Sequence, residues 1–280
     1  NEITDFSGLL INAVDNIKAG NMLIKHKGET TCDLNKIKYM FIDEYQDFSK
    51  SFFELIKTIK SQNKDIELFC VGDDWQAINM FAGSDLSYYQ DFEKHFNNSS
   101  KLKITTNYRS AYAIVNLSND LMKNEEGSPA QCHQSSLGDI FLCKFDQAPQ
   151  SSNEIALGID KIESIALRLI KNAFENKKEI VFLVRNNRIP YATKNMSEPH
   201  NFLKKIRSYF NESDHKKINI STIHQFKGKE SDVIVLLDLR SNQYPSIHPD
   251  WKFNKIFGDN IPRLIDEERR LLYVALTRPL

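Results

Sequence analysis

Short apolar runs that stop abruptly at clusters of acids, amides or basic residues constrain this chain more than any other feature. Residues 37–42 (Ile-Lys-Tyr-Met-Phe-Ile) end at Asp43-Glu44, and Glu67 to Val71 ends at Gly72-Asp73-Asp74. Leu102–Thr105, Ile180–Val184, Ile218–Thr222 and Val233–Leu237 repeat the pattern. Runs this short, rich in Ile, Val and Phe, read as buried strands. Helical stripes lie between them. Phe6, Leu9, Leu10, Val14 and Ile17 form one, with Asp5 or Thr4 as its cap; Phe52, Leu55, Ile56 and Ile59 form another within Ser49–Lys60. Ala111–Met122 and Ile265–Leu276 supply two more. Strands alternating with helices predict an α/β fold with parallel sheets.

A chain of 280 residues, 41% apolar, can bury one or two sizeable cores, and its length predicts two domains. The polar stretch Lys123–Leu137 is expected to be a loop on the second of them. With 37 basic and 37 acidic residues the formal charge is zero, which neither supports nor excludes a nucleic-acid partner. Cys32, Cys70, Cys132 and Cys143 lack the close spacing of a zinc knuckle, so a structural role and a reduced, cytoplasmic setting are expected. No apolar stretch reaches the ~20 residues of a membrane span, and no membrane partner is expected.

In open α/β sheets functional groups gather beyond the carboxyl ends of the strands, and five polar clusters fall at such places or close to them. Asp43-Glu44-Tyr45-Gln46-Asp47 delivers two adjacent carboxylates, suited to a magnesium nucleotide, although such a pair in isolation is more often a solvated turn. Gly72-Asp73-Asp74-Trp75-Gln76-Ala77-Ile78 ends in an amide that both donates and accepts. Asn107-Tyr108-Arg109-Ser110 pairs an aromatic face with a guanidinium whose fork fits phosphate oxygens. Thr222-Ile223-His224-Gln225-Phe226-Lys227-Gly228-Lys229-Glu230 follows a strand, and the run from Glu267 to Arg278 reads on its own as an ordinary amphipathic helix.

The order of all five is more specific than any one. Together they resemble motifs II to VI of the superfamily 1A DNA helicases, the UvrD/Rep class, and Gly-Asp-Asp-Trp-Gln-Ala-Ile followed by Phe-Ala-Gly is similar to the helicase IV branch. The resemblance implies two RecA-like domains, the first over 1–104 and incomplete at its N-terminal side, the second over 105–280 without a large inserted subdomain. It implies an ATP-dependent motor, monomeric, moving 3′ to 5′ on single-stranded DNA.

By the same resemblance Asp43 would hold Mg2+, Glu44 would be the general base for ATP hydrolysis, and Gln76 would sense the γ-phosphate. Tyr108 would stack on adenine, Glu230 would bond the ribose, and Gly228 would let the backbone approach the nucleotide. Arg109 and Arg278 would reach the γ-phosphate, where developing charge needs cations. Thr222 and His224 would face DNA, as would Phe81; the family's second aromatic platform is replaced here by Asn79, weakening base stacking.

No Gly-x-x-x-x-Gly-Lys-Ser/Thr sequence occurs in the chain. The resemblance places that phosphate loop upstream, so the chain is expected to be a piece of a longer protein and inactive alone. Two other readings stand beside the motor: the motor part of a helicase-nuclease, and a piece that binds DNA or a partner without hydrolysing ATP.

Overall fold

The computed structural model describes residues 5–125, 127–189, 192, 197–241, 243–246 and 261–280. The chain divides into two compact units, Asn1–Lys103 and Ile104–Leu280.

In the first unit, α1 (Phe6–Lys18) starts where the Asp5 carboxylate accepts the Gly8 N–H at 2.7 Å; the alternative cap, Thr4, lies outside the described residues. It packs on α2 (Lys50–Gln62), capped by the Ser49 hydroxyl. Of the four residues expected inward on α2, Ile59 is buried, Leu55 packs partly buried on the same core, and Phe52 and Ile56 are half-buried, while Phe53 and Thr58 are buried as well. β1 (Leu23–His26) and β2 (Glu29–Asp33) form an antiparallel hairpin that the sequence reading missed. Parallel to each other run β3 (Tyr39–Ile42) and β4 (Glu67–Cys70), in register from Tyr39 opposite Glu67 to Ile42 opposite Cys70. Ile17, Met22, Leu34, Ile59 and Ile66 form one core cluster of this unit. Two short helices, α3 (Ser87–Gln90) and α4 (Phe92–His95), follow.

The expected strand Leu102–Thr105 runs across the boundary between the two units and is not formed there; Leu102 and Ile104 are about 90% exposed. In the second unit regular strand pairing starts at β5 (Thr106–Asn107), parallel to β6 (Gln131–Cys132) inside the expected loop. Then come α5 (Tyr112–Met122), α6 (Ser152–Ala156) and α7 (Lys161–Glu175), the last two unforeseen. β7 (Ile180–Val184) is the central strand between β8 (Ile218–Thr222) and β9 (Val233–Leu236), all parallel, in the order β8-β7-β9, and it is buried at every residue. Burial on both faces explains why β7 is a continuous apolar run. Ile162, Ala166 and Ile170 of α7 meet Phe202 and Ile206 of α8 (Pro199–Arg207) and Ile180, Phe182 and Val184 of β7 in the main core. Burying one such side chain contributes about 1.5–3 kcal/mol. The one-turn α9 (Ile223–Phe226) and α10 (Ile261–Leu276) complete the unit, α10 packing on α5 and α9.

Candidate functional site

Four of the five polar clusters fall at or beyond the carboxyl ends of parallel strands, and the fifth lies on α10 and just after it. In the first unit, the chain leaves β3 and turns at Glu44, whose backbone is left-handed (φ 52°, ψ 38°). A non-glycine residue there is strained by about 1 kcal/mol. Two backbone bonds hold the turn against β4: Val71 N–H to Ile42 O at 2.8 Å and Tyr45 N–H to Val71 O at 2.9 Å. Asp43 Oδ1 accepts the Glu44 N–H at 2.9 Å, which folds the two acids into one compact turn.

The turn after β4 meets this one through a buried amide. Gln46, 1% exposed, donates from Nε2 to the Glu44 carboxylate and accepts the Asp73 N–H on Oε1 at 3.0 Å. Asp73 in turn accepts the Trp75 N–H at 3.0 Å and the Gln76 side-chain amide at 2.6 Å. Gly72 is required here: a Cβ would lie 2.6 Å from Gln46 Oε1 and 2.9 Å from the Tyr89 ring. The Tyr89 hydroxyl donates to Gly72 O at 3.1 Å, and its pKa is pushed up to about 12 by burial and then by the charges of Asp74 and Asp73. Burial likewise pushes the Tyr45 phenol up and the Cys70 thiol to about 11. Asp43, Glu44 and Gln76 thus share one strand edge. Phe81, 76% exposed, projects from the turn Met80–Ala82, which Gly83 closes at φ 87°.

In the second unit the Asn107 side chain accepts the N–H groups of Arg109 (3.0 Å) and Ser110 (2.9 Å), fixing the turn that presents Tyr108. The Tyr108 ring, 63% exposed, lies 4.7 Å from the His133 ring, and Gln134 donates to Tyr108 O at 2.8 Å. Arg109 Nε lies 2.6 Å from Glu230 Oε2. Fully buried Ser110 donates to Pro279 O at 3.1 Å, and the Ser231 N–H donates to Arg278 O at 3.2 Å. Three separated segments therefore close on one another around Arg109, Glu230 and Arg278.

Arg278 sits deeper than its expected role suggests. It is 2% exposed, its Nε donates to Val274 O at 2.9 Å, and its other nitrogens bond Lys229 O and the Thr277 hydroxyl. Thr222 caps α9 through its hydroxyl, accepting the Gln225 N–H at 3.3 Å, and His224 is half-buried. Gly228 has open space where a Cβ would stand, so its φ of 78°, rather than crowding, is what calls for glycine. At the end of β7, Arg185 forms a two-bond pair with Glu268 of α10. Burial alone would lower its pKa, and the Glu268 bond and charge hold it above the ordinary value.

The sequence reading gave no role to Asn107, Ser110 or His133. An Asn two residues before an Arg-Ser pair is a recognisable side-chain turn signal; nothing local signals His133. Among the described residues no group of three or more His, Cys, Asp or Glu side chains could hold a metal ion. The two adjacent acids suit magnesium, a hard cation that takes one or two protein carboxylates and fills its shell with water and phosphate oxygens. No helix among the described residues is long and apolar enough to cross a membrane.

Residues 1–97 match the family model described as the UvrD/REP helicase N-terminal domain, and residues 192–279 match that of the UvrD-like helicase C-terminal domain. DNA helicase IV of Escherichia coli is 26% identical over 278 residues, 98% of this chain and 36% of that protein. The ATP-dependent DNA helicase PcrA of Staphylococcus aureus is 31% identical over 124 residues, 44% of this chain and 16% of that protein. The chain thus spans about a third of the length of the E. coli relative.

Proposed function

The chain belongs to the UvrD/Rep-like family of superfamily 1 helicases, and from that premise we propose that it is part of an ATP-dependent DNA helicase. The motor moves 3′ to 5′ on single-stranded DNA in the cytoplasm as a monomer, and hydrolysis is coupled to closure of two RecA-like domains, 1–104 and 105–280. The observation that carries this reading is the shared edge of β3 and β4, which brings Asp43, Glu44 and Gln76 onto one bonded network.

In this reading Asp43 holds the magnesium of the nucleotide, and the metal supplies neutralisation of phosphate charge. Glu44 orients and deprotonates the attacking water, a task for a carboxylate within hydrogen-bond reach of it. Gln76 reports the γ-phosphate to the turn after β4. In the second unit Tyr108 offers its exposed ring to adenine and Glu230 takes the ribose. Gly228 gives the nucleotide-facing loop its left-handed turn. Arg109 and Arg278 meet the γ-phosphate, which requires Arg278 to exchange its present backbone bonds for phosphate oxygens. Phe81, Thr222 and His224 contact the DNA strand.

The test is DNA-stimulated ATPase activity of the full-length protein with and without Glu44→Gln. Robust stimulation that Glu44→Gln abolishes is the expected result. A folded, silent full-length protein that still binds single-stranded DNA would replace the motor with the non-hydrolysing reading.

A further inference from the structure

We propose that Gln46 is a positioning residue for the hydrolytic step, fixing the Glu44 carboxylate to the backbone of the Gly72-Asp73 turn. The inference rests on the hydrolase reading above, which gives Gln46 no part. Four observations support it.

A glutamine side chain at 1% exposure must satisfy both ends of its amide, and here each end has one chemically possible partner. The Asp73 N–H can only donate, so Oε1 faces it at 3.0 Å; the Glu44 carboxylate accepts, so Nε2 faces that. The direction of the bridge follows from the chemistry at both ends. The contact is also close, since Gly72 leaves no room for a Cβ between its own backbone and Gln46 Oε1. Glu44 itself stands on a left-handed backbone, and strain of this kind persists only where surrounding bonds impose it. Finally, the bridge continues: the residue that donates to Gln46 is the one whose carboxylate holds the Gln76 amide at 2.6 Å. A displacement of Gln76 would thus reach Glu44 through Asp73 and Gln46, and the position of the base would follow the state of the turn beyond β4.

Position matters steeply for a general base: a displacement of about 1 Å costs on the order of 100-fold in rate. The test compares steady-state, single-stranded-DNA-stimulated ATP hydrolysis by the full-length protein as wild type, Glu44→Gln, Gln46→Met and Gln46→Glu. Methionine keeps the length and bulk but removes both bonds. Glutamate keeps the acceptor for the Asp73 N–H and sets a carboxylate against Glu44. Both variants are expected to lower kcat by about 10- to 100-fold while KM for ATP stays within about twofold. Retaining the acceptor in Gln46→Glu is expected to rescue nothing. If Gln46→Met fails to fold, Gln46→Glu, the same shape, decides by the same criterion. An active wild type with unchanged kcat in the folded variants, or with KM rising as kcat falls, overturns the role of Gln46 alone. A silent wild type overturns the hydrolase reading and this role with it.

Discussion

Arg109 and Glu230 form an ion pair, Nε to Oε2 at 2.6 Å, between the turn after β5 and the loop after α9. Both side chains are nearly half exposed, so water screens the pair and its contribution to stability is at most about 1 kcal/mol. Glu230→Gln should therefore leave thermal unfolding almost unchanged. In the full-length protein the same change should raise KM for ATP severalfold, because it removes the proposed ribose ligand and the partner that aims Arg109. Unaltered kinetics with a large loss of stability would make the pair structural.

Acid should find a weak point in the second unit at Glu154. The Ser164 hydroxyl, then the Ser151 backbone and hydroxyl, and the Arg168 charge hold its pKa at about 2, below the ordinary 4.5. A depressed carboxylate stabilises the fold above the unfolded pKa and loses that contribution as pH falls through the folded one. Stability of the wild type should thus decline between pH 4.5 and about 2 more steeply than that of Glu154→Gln, which should be the less stable protein at pH 7. Thermal midpoints of the two proteins across this window check it, and parallel curves would contradict the assignment.

What the sequence made legible divides along physical lines. β7 was found at Ile180–Val184 because burial on two faces leaves a continuous apolar run, and β8 at Ile218–Thr222 because Ile218 and Ile220 alternate with polar residues. The β1–β2 hairpin escaped because its residues are mostly exposed, although Lys27 (φ 50°) and Gly28 (φ 86°) form the positive-φ pair that tight hairpins favour. Leu102–Thr105 misled for the opposite reason: it has strand residues, but Leu102 and Ile104 lie about 90% exposed and the strand itself starts only at Thr106. The acids and arginines of the candidate site were singled out by motif order. The bonds of Gln46 and the ring contact of His133 were not, since each joins segments that the sequence does not place together.

The core of the second unit should be the costliest place to remove volume. Ile170 of α7 is fully buried beside Phe182 and Phe202, so Ile170→Ala should cost about 2–5 kcal/mol through lost burial and the cavity left behind. Leu157→Ala, at 76% exposure, should move stability by about 0.5 kcal/mol or less. Urea unfolding of this chain and its two variants, followed by far-ultraviolet circular dichroism, separates them; equal effects would mean that α7 does not pack on β7 as described.

Arg278 has an observed structural role and a proposed phosphate role, which a single alanine cannot separate. Its buried guanidinium bonds the Val274 and Lys229 carbonyls, tying the end of α10 to the Gly228 loop. Arg278→Ala strands those carbonyls and should cost about 1–3 kcal/mol, so lost activity in that variant would say little about phosphate. Arg278→Lys keeps the charge and a donor but loses the planar fork that grips phosphate oxygens. In the full-length protein it should keep most of the fold's stability while lowering kcat by at least about tenfold, the cost expected when a preorganised cation misses the developing charge. Wild-type turnover in Arg278→Lys would assign the residue to holding the loop, and leave Arg109 as the second unit's cation for the γ-phosphate.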